Sequence, residues 1–229
     1  MKLSIIIPVY NEEKTILEIL SKIDEVKISP EKEIIIVDDG SKDKTREILS
    51  RINGRSKNKK IIFHDKNYGK GHAILTGLKH ASGQIILIQD ADLEYDPNDY
   101  SKLIAPIINK KAKVVYGSRN LRDNKRSAIS FYLGGRFLSF LANLLYGTKI
   151  TDEATCYKVF RADIIKNIDL KCEKFEFCPE VTAKVAKKGI NILEVPISYY
   201  PRGKKQGKKI KWKDGIEAIW ALIKYRFID

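Results

Sequence analysis

Short runs of branched aliphatic residues, unbroken by polar positions, recur through the first half of this 229-residue chain. Ile5-Ile6-Ile7, Ile34-Ile35-Ile36-Val37 and Ile85-Ile86-Leu87-Ile88 show no alternation of apolar and polar side chains. A strand built from such a run must be covered on both faces, which a sheet with helices on either side provides. Helical patterns separate the runs, so the fold class is α/β, with the sheet sandwiched between helices. The spacing predicts strands over 3–8, 33–37, 61–64, 84–89 and 114–117. Helices are expected over 12–26, 43–51, 69–79 and 97–110, the last with Pro97 in its first turn. In the first of these, Ile16, Leu17, Ile19, Leu20 and Ile23 should share one side; in the second, Ile48 and Leu49 should point inward.

Beyond residue 120 the rhythm changes. Further strands are expected over 155–160 and 192–197, with a helix over 179–188 between them. A Gly/Lys-rich loop follows over 201–209, then an amphipathic tail helix over 213–227. The apolar stretch 127–147 is uncharged except for Arg136, which sits at its centre beside Gly134-Gly135. An arginine at mid-bilayer costs roughly 3 kcal/mol, so this stretch reads as an interfacial or buried helix pair and not as a span. No linker, repeat or low-complexity segment divides residues 1–229, which are expected to form one domain. The short apolar start ends at Pro8 without a signal-peptide pattern. Cys156, Cys172 and Cys178 are spaced too irregularly for zinc or a disulfide framework. Both features lead to an expected cytoplasmic location with reduced thiols.

The formal charge of +14 is unevenly placed. Residues 1–100 hold 16 Lys/Arg against 17 Asp/Glu, whereas residues 101–229 hold 27 against 12. The second half therefore expects an anionic partner. From Arg202 to Lys213 there are seven Lys/Arg and no acid. Nucleic acid is not the expected partner, because these lysines lack the interleaved aromatic platforms that stack single-stranded bases.

Acids cluster where strands should stop. The second strand ends Asp38-Asp39-Gly40-Ser41 and the fourth ends Asp90-Ala91-Asp92-Leu93-Glu94. Ligands of open parallel α/β sheets bind outside the carboxyl ends of the strands. Like charges gathered there repel unless a cation or a donor-rich ligand uses them. Asp90-x-Asp92 supplies two hard oxygen donors on one turn, suited to Mg²⁺ or Mn²⁺ with positions left open for phosphates. Asn67-x-Gly69-x-Gly71 precedes a helix, so backbone can approach a ligand there while Lys70 reaches a phosphate. It has neither the P-loop spacing nor the place in the chain of a dinucleotide fingerprint.

Pro8-Val9-Tyr10-Asn11-Glu12, Val37 through Ser41, Asn67 through Gly71, Asp90-Ala91-Asp92 and Gly117-Ser118-Arg119 occur in the order seen in family 2 glycosyltransferases, which the chain resembles. The resemblance is closest to the dolichyl- or polyprenyl-phosphate sugar synthases and covers nearly the whole chain. It implies a GT-A fold, an α/β/α sandwich around a mixed, mainly parallel central sheet, with a nucleotide-sugar donor of the GDP-mannose or UDP-glucose type, Mg²⁺ or Mn²⁺, and a polyprenyl or dolichyl phosphate acceptor. On that basis residues 1–118 form the nucleotide-sugar and metal half, and 119–229 the acceptor half with interfacial helices at 127–147 and 213–227. Pro8, Tyr10, Asn11, Glu12 and Asp39 would hold the nucleoside; Asp38 and Lys70 would lie near the ribose-diphosphate path. Asp90 and Asp92, flanking Ala91, would hold the metal, with Glu94 a further ligand. Arg119, Arg126, Arg202 and Lys208 would bind the acceptor phosphate, and Asp92, Arg119 and Arg202 would serve catalysis. Many members of this subfamily carry transmembrane helices after the catalytic domain, which residues 1–229 lack. The expected state is peripheral on the cytoplasmic face of a membrane, with a separate membrane-anchoring subunit as one means of attachment.

A lipid phosphate is already ionised and needs no general base, whereas a hydroxyl acceptor would. Transfer to a sugar or protein hydroxyl by the same donor machinery remains the alternative. Glu180 would then be a candidate base, although an acid at a helix start is favoured by the dipole alone. Asp152 and Glu153 could line the acceptor cleft, and His64, His72 and His80 read as surface or packing residues.

Overall fold

The computed structural model describes residues 1–125, 128–203, 209 and 212–228. Seven strands form one sheet: β1 Lys2–Val9, β2 Glu31–Asp38, β3 Lys59–Phe63, β4 Ile85–Ile88, β5 Val114–Ser118, β6 Lys158–Arg161 and β7 Ile192–Pro196. Among the described residues, eight α-helices pack around it: α1 Ile16–Glu25, α2 Thr45–Ile52, α3 Lys70–His80, α4 Tyr100–Ile108, α5 Ile129–Tyr146, α6 Ala162–Ile165, α7 Phe177–Lys187 and α8 Trp212–Phe227.

The strand order is β3-β2-β1-β4-β6-β5-β7. Pairings β1–β2, β1–β4, β2–β3 and β5–β7 are parallel, while β6 is antiparallel to both β4 and β5. Six strands therefore point the same way, and the mixed, mainly parallel α/β sheet expected from the sequence is present. The aliphatic runs lie at its centre: Ile5 pairs with Ile34 and with Leu87, and all three are fully buried. Order reverses between β1 and β4, which opens the crevice at their carboxyl ends.

Local chemistry shifts several expected boundaries. The first helix begins at Ile16 and not at residue 12, because Asn11 takes a positive φ of 50°. The amides of Asn11 and Glu12 donate instead to Ser41 Oγ (2.9 Å) in the β2–α2 connection and to Thr45 Oγ1 (2.8 Å) at the start of α2. Ile16, Ile19, Leu20 and Ile23 are buried as expected, but Leu17 is 52% exposed, since its position falls off the inward stripe. The stretch expected as a helix pair is one continuous helix, α5, running through Gly134-Gly135. A Cβ at either glycine would meet nothing within 4 Å, so neither serves a close approach that would break the helix. Each costs only about 1 kcal/mol of propensity, less than the hydrogen bonds a break would forfeit. Among the described residues, no helix is long and apolar enough to cross a membrane.

Candidate active site

The parallel strands deliver the chemistry to one edge. Tyr10 follows β1, Asp39 follows β2, His64 follows β3, Asp90 follows β4 by two residues, and Arg119 follows β5. A cleft of about 1200 Å³ lies there. Its lining includes Pro8, Tyr10, Glu12, Asp39 and Lys70, and also Asp90, Ala91, Asp92, Glu94, Arg119 and Arg202. Two expected donor-site residues are not brought to it. Asp38 is fully buried, with Arg46 Nε 3.2 Å from its carboxylate in an ion pair that lacks hydrogen-bond geometry. Asn11 binds the facing loop, its side-chain oxygen accepting from the Lys42 amide at 2.8 Å. Asn11 is held by the loop after β2 and Asp38 by Arg46 of α2, and neither lines the cleft. Arg126 and Lys208 lie outside the described residues.

Asp39 organises the glycine-rich turn. Its carboxylate accepts from the amides of Tyr68 (2.9 Å) and Gly69 (2.7 Å), and its carbonyl accepts from Asn67 Nδ2 (3.2 Å). Gly69 has φ 102°, a backbone state that the turn into α3 requires and that other residues strongly disfavour. Gly40, at φ 69°, lies so close to the backbone of Lys66 and Asn67 that no Cβ fits. The two acidic strand ends and the glycine turn thus form one unit.

The acids meet cations across the cleft. Lys70 Nζ lies 2.6 Å from Asp90, and burial, which would lower its pKa, is outweighed by that carboxylate, which raises it. Arg202 sits 3.2 Å from both Glu12 and Asp92. Lys209 Nζ reaches Glu12 at 2.7 Å. Burial works against ionisation of Glu12, but its bonds to Arg202 and Lys209 prevail and hold its carboxyl below the usual range. Asp92 goes the other way: burial, then the charges of Asp90 and Glu94, push it up to about 7 against the pull of Arg202. This crowding of negative charge is what a divalent ion would relieve.

Asp90 and Asp92 fit such an ion as a partial, hard-oxygen donor set, with the remaining positions left to phosphate oxygens and water. Among the described residues, no group of three or more His, Cys, Asp or Glu side chains is arranged as a metal site. Glu94 is otherwise engaged. Its two oxygens accept from the Arg202 amide (2.7 Å) and the Tyr199 hydroxyl (3.0 Å), so it fastens the loop after β7 over the cleft.

Arg119 is held by a partner that charge counting did not single out. Asp152, 1% exposed, accepts from its Nε (2.7 Å), Nη2 (2.6 Å) and backbone amide (2.8 Å). Burial alone would raise the Asp152 carboxyl; the charge and bonds of Arg119 reverse that and lower it. Tyr199 packs under the same guanidinium, 5.1 Å from ring to carbon. Glu180 is not free for base chemistry, because its carboxylate is fully buried against Lys184 (2.7 Å) and the Lys171 amide (2.8 Å). His64 is a packing residue as expected, 9% exposed and not part of the cleft lining, but it packs on a site residue: its Nδ1 is 2.8 Å from Asp39 Oδ1. The one readable signal was its position at the end of β3, level with Asp38 and Asp39.

A model of the family described as glycosyl transferase family 2 matches residues 4–169. A Methanococcus voltae protein named UDP-N-acetylglucosamine–dolichyl-phosphate N-acetylglucosaminyltransferase is 36% identical over 212 residues, covering 84% of this chain and 83% of its own length. The Pyrococcus furiosus dolichol-phosphate mannosyltransferase is 30% identical over 235 residues; 98% of this chain is covered, but only 64% of that protein. A solved structure of glucosyl-3-phosphoglycerate synthase from Mycobacterium tuberculosis, in complex with Mn²⁺, UDP and glucosyl-3-phosphoglycerate, superposes with a TM-score of 0.74. That match covers 100% of this chain and 81% of the other at 17% identity, a likeness of fold. With a parallel-sheet cleft of this form and a family match over most of its length, the chain belongs to glycosyl transferase family 2 and is a glycosyltransferase of GT-A fold.

Proposed function

We propose that this enzyme transfers a hexose, mannose or glucose, from a nucleotide-sugar donor to polyprenyl or dolichyl phosphate, with inversion at the sugar. The observation that carries the reading is the composition of one cleft. Its lining combines Asp90, Asp92, Arg119 and Arg202 with Phe131, Phe137 and Leu138 of α5 and Trp212, Ile216 and Ile219 of α8. A phosphate head on a long apolar tail matches that combination, whereas a free sugar or peptide hydroxyl does not. The names of the Methanococcus and Pyrococcus relatives support a lipid phosphate acceptor.

In this mechanism a phosphate oxygen attacks the anomeric carbon as the bond to the nucleoside diphosphate breaks on the opposite face. The attacking oxygen is ionised at neutral pH, so the protein has to place it and no residue need remove a proton. Arg202, and Arg119 held rigid by Asp152, position the phosphate; guanidinium forks suit its geometry. Lys70 stands beside the path of the diphosphate. Asp90 and Asp92 would hold Mg²⁺ or Mn²⁺, whose charge stabilises the departing diphosphate.

The same reading puts the enzyme peripherally on a membrane. Ile129, Leu133, Phe137, Phe140 and Leu144 recur along α5, each at least 50% exposed. Trp212, Ile216, Trp220 and Phe227 do the same on α8 at 55% or more. Such stripes suit a headgroup boundary, with Lys213, Lys224 and Arg226 able to meet anionic lipids. Free Cys156, Cys172 and Cys178 are in keeping with a cytoplasmic face. A separate anchoring subunit would strengthen attachment.

The test is transfer from radiolabelled nucleotide-sugars to polyprenyl phosphate in detergent. A labelled product that extracts into organic solvent and is labile to mild acid is expected. A water-soluble, acid-stable glycoside formed on an added sugar or peptide would overturn the lipid acceptor in favour of a hydroxyl one.

A further inference from the structure

The Methanococcus relative is named for a UDP-linked donor and the Pyrococcus one for mannose without a nucleotide, so the site itself has to supply the base preference. Asp39 is acceptor-only when ionised and offers about four lone-pair positions, two on each oxygen. Three are used within the protein. Oδ1 accepts from His64 Nδ1 at 2.8 Å and from the Tyr68 amide at 2.9 Å, which fills it. Oδ2 accepts from the Gly69 amide at 2.7 Å, which leaves one position. Asp39 is among the residues that line the cleft, and its side chain is 3% exposed with that single acceptor to spare.

We propose that His64 sets the base specificity of the donor site, selecting a uracil nucleotide over a guanine one by occupying Asp39 Oδ1. The proposal rests on the assignment of Asp39 to the nucleoside. Uracil presents one N–H between two carbonyls, which one acceptor on Oδ2 satisfies. Guanine presents adjacent N1–H and N2–H donors that grip a carboxylate through both of its oxygens. With Oδ1 filled, one guanine donor is left unpaired against a carboxylate that is itself buried, and an unpaired buried polar group costs more than the bond it would have made.

His64 is built to hold this position. Its side chain is 9% exposed. Nδ1 faces a carboxylate and so carries the proton, while Nε2 lies 3.0 Å from Thr76 Oγ1 on α3. The threonine hydroxyl can donate or accept, so the contact survives whichever charge the ring has. Tyr68 and His72 pack edge-on against the ring at 5.5 and 5.3 Å. The His64 amide donates to the Asp38 carbonyl at 2.9 Å, and its carbonyl accepts from Arg46, so the backbone is fixed on both sides. His64 is thus a positioning residue that acts through Asp39.

Titration calorimetry of the whole chain with UDP and with GDP, at one fixed Mg²⁺ concentration, tests this. The wild type should bind UDP at least about tenfold more tightly than GDP, the cost of one unpaired donor. His64→Ala frees Oδ1 and should bring the two affinities within about threefold, chiefly by improving GDP. His64→Asn keeps an N–H donor toward Oδ1 and should restore the preference for UDP. Equal or tighter binding of GDP by the wild type overturns the proposal, as does an unchanged ratio in His64→Ala. If His64→Ala does not fold, Thr76→Val loosens the ring from its other side; a narrowed ratio supports the proposal and an unchanged one overturns it. Binding of neither nucleotide would bring down the nucleoside role of Asp39 and this proposal with it, whereas binding without discrimination removes this proposal alone.

Discussion

Arg119 and Asp152 form a two-pronged ion pair, Nε to Oδ2 at 2.7 Å and Nη2 to Oδ1 at 2.6 Å, with a third bond from the Arg119 amide. The acid is almost fully enclosed, so its charge is worth little to solvent and a great deal to the arginine. The pair joins the end of β5 to the loop before β6 and sets the guanidinium at the wall of the cleft.

Removing Asp152 leaves a half-buried arginine without its counter-charge. Asp152→Ala is expected to destabilise the fold by about 3–5 kcal/mol. Urea unfolding followed by circular dichroism checks this; a loss under about 1 kcal/mol would show that the arginine finds water or another acid instead.

Arg202 has two sets of partners, acids now and, on the proposed mechanism, an acceptor phosphate. Arg202→Ala should raise KM for polyprenyl phosphate about 10–100-fold, the range for a lost charge-assisted bond, and leave donor binding within a few-fold. Steady-state kinetics with each substrate varied in turn would distinguish this from equal losses, which would mark a structural role in the Glu12–Asp92 cage.

Burial, then the neighbouring charges of Asp90 and Glu94, disfavour the charged form of Asp92. Asp92→Ala should abolish turnover and, with it, the response to added Mg²⁺ or Mn²⁺. Near-normal activity of the wild type in excess chelator would refute the metal assignment.

Glu33 offers a pH dependence away from the site. Burial would raise its carboxyl, but bonds from Ser4, Ser82 and Lys2 bring it down to about 2, from an ordinary value of 4.5. A folded pKa below the unfolded one means that the stabilisation is fully present above pH 4.5 and is lost as pH falls through about 2. The urea midpoints of wild type and Glu33→Gln should therefore differ at pH 6 and converge near pH 2. Parallel curves across that window would show that the carboxyl titrates alike in both states.

The bare apolar side chains on α5 and α8 give a membrane prediction. Phe140 and Trp220 are 60% and 64% exposed, so replacing both by Asp removes no core contact. Phe140→Asp with Trp220→Asp should cut co-sedimentation with anionic vesicles at least about tenfold while shifting Tm by under about 2 °C. Unchanged vesicle binding would remove the membrane role of this face.

Much of the architecture was legible in the sequence because it rests on local pattern. Unbroken runs such as Ile34 through Val37 can only be strands covered on both faces, and acids placed just after them fall at the ligand edge of a parallel sheet. That reasoning reached Asp39, Asp90 and Asp92, the glycine turn pointed to Lys70 and the family resemblance to Arg202, and all five line the cleft. It could not tell which strand-end acid turns inward. Asp38 and Asp39 are neighbours in sequence, yet one is spent on Arg46 inside the fold and the other holds the glycine turn.

What the sequence by itself determined was the sheet, its buried strands and the edge where the chemistry gathers, since side-chain period and turn residues act over a few positions. Tertiary structure decided the pairings. Asp39 and His64 lie 25 residues apart, Arg119 and Asp152 lie 33 apart, and Glu94 and Arg202 lie 108 apart. Only folding brings such groups within bonding distance, and only there does burial make each bond strong enough to fix what a side chain is free to do.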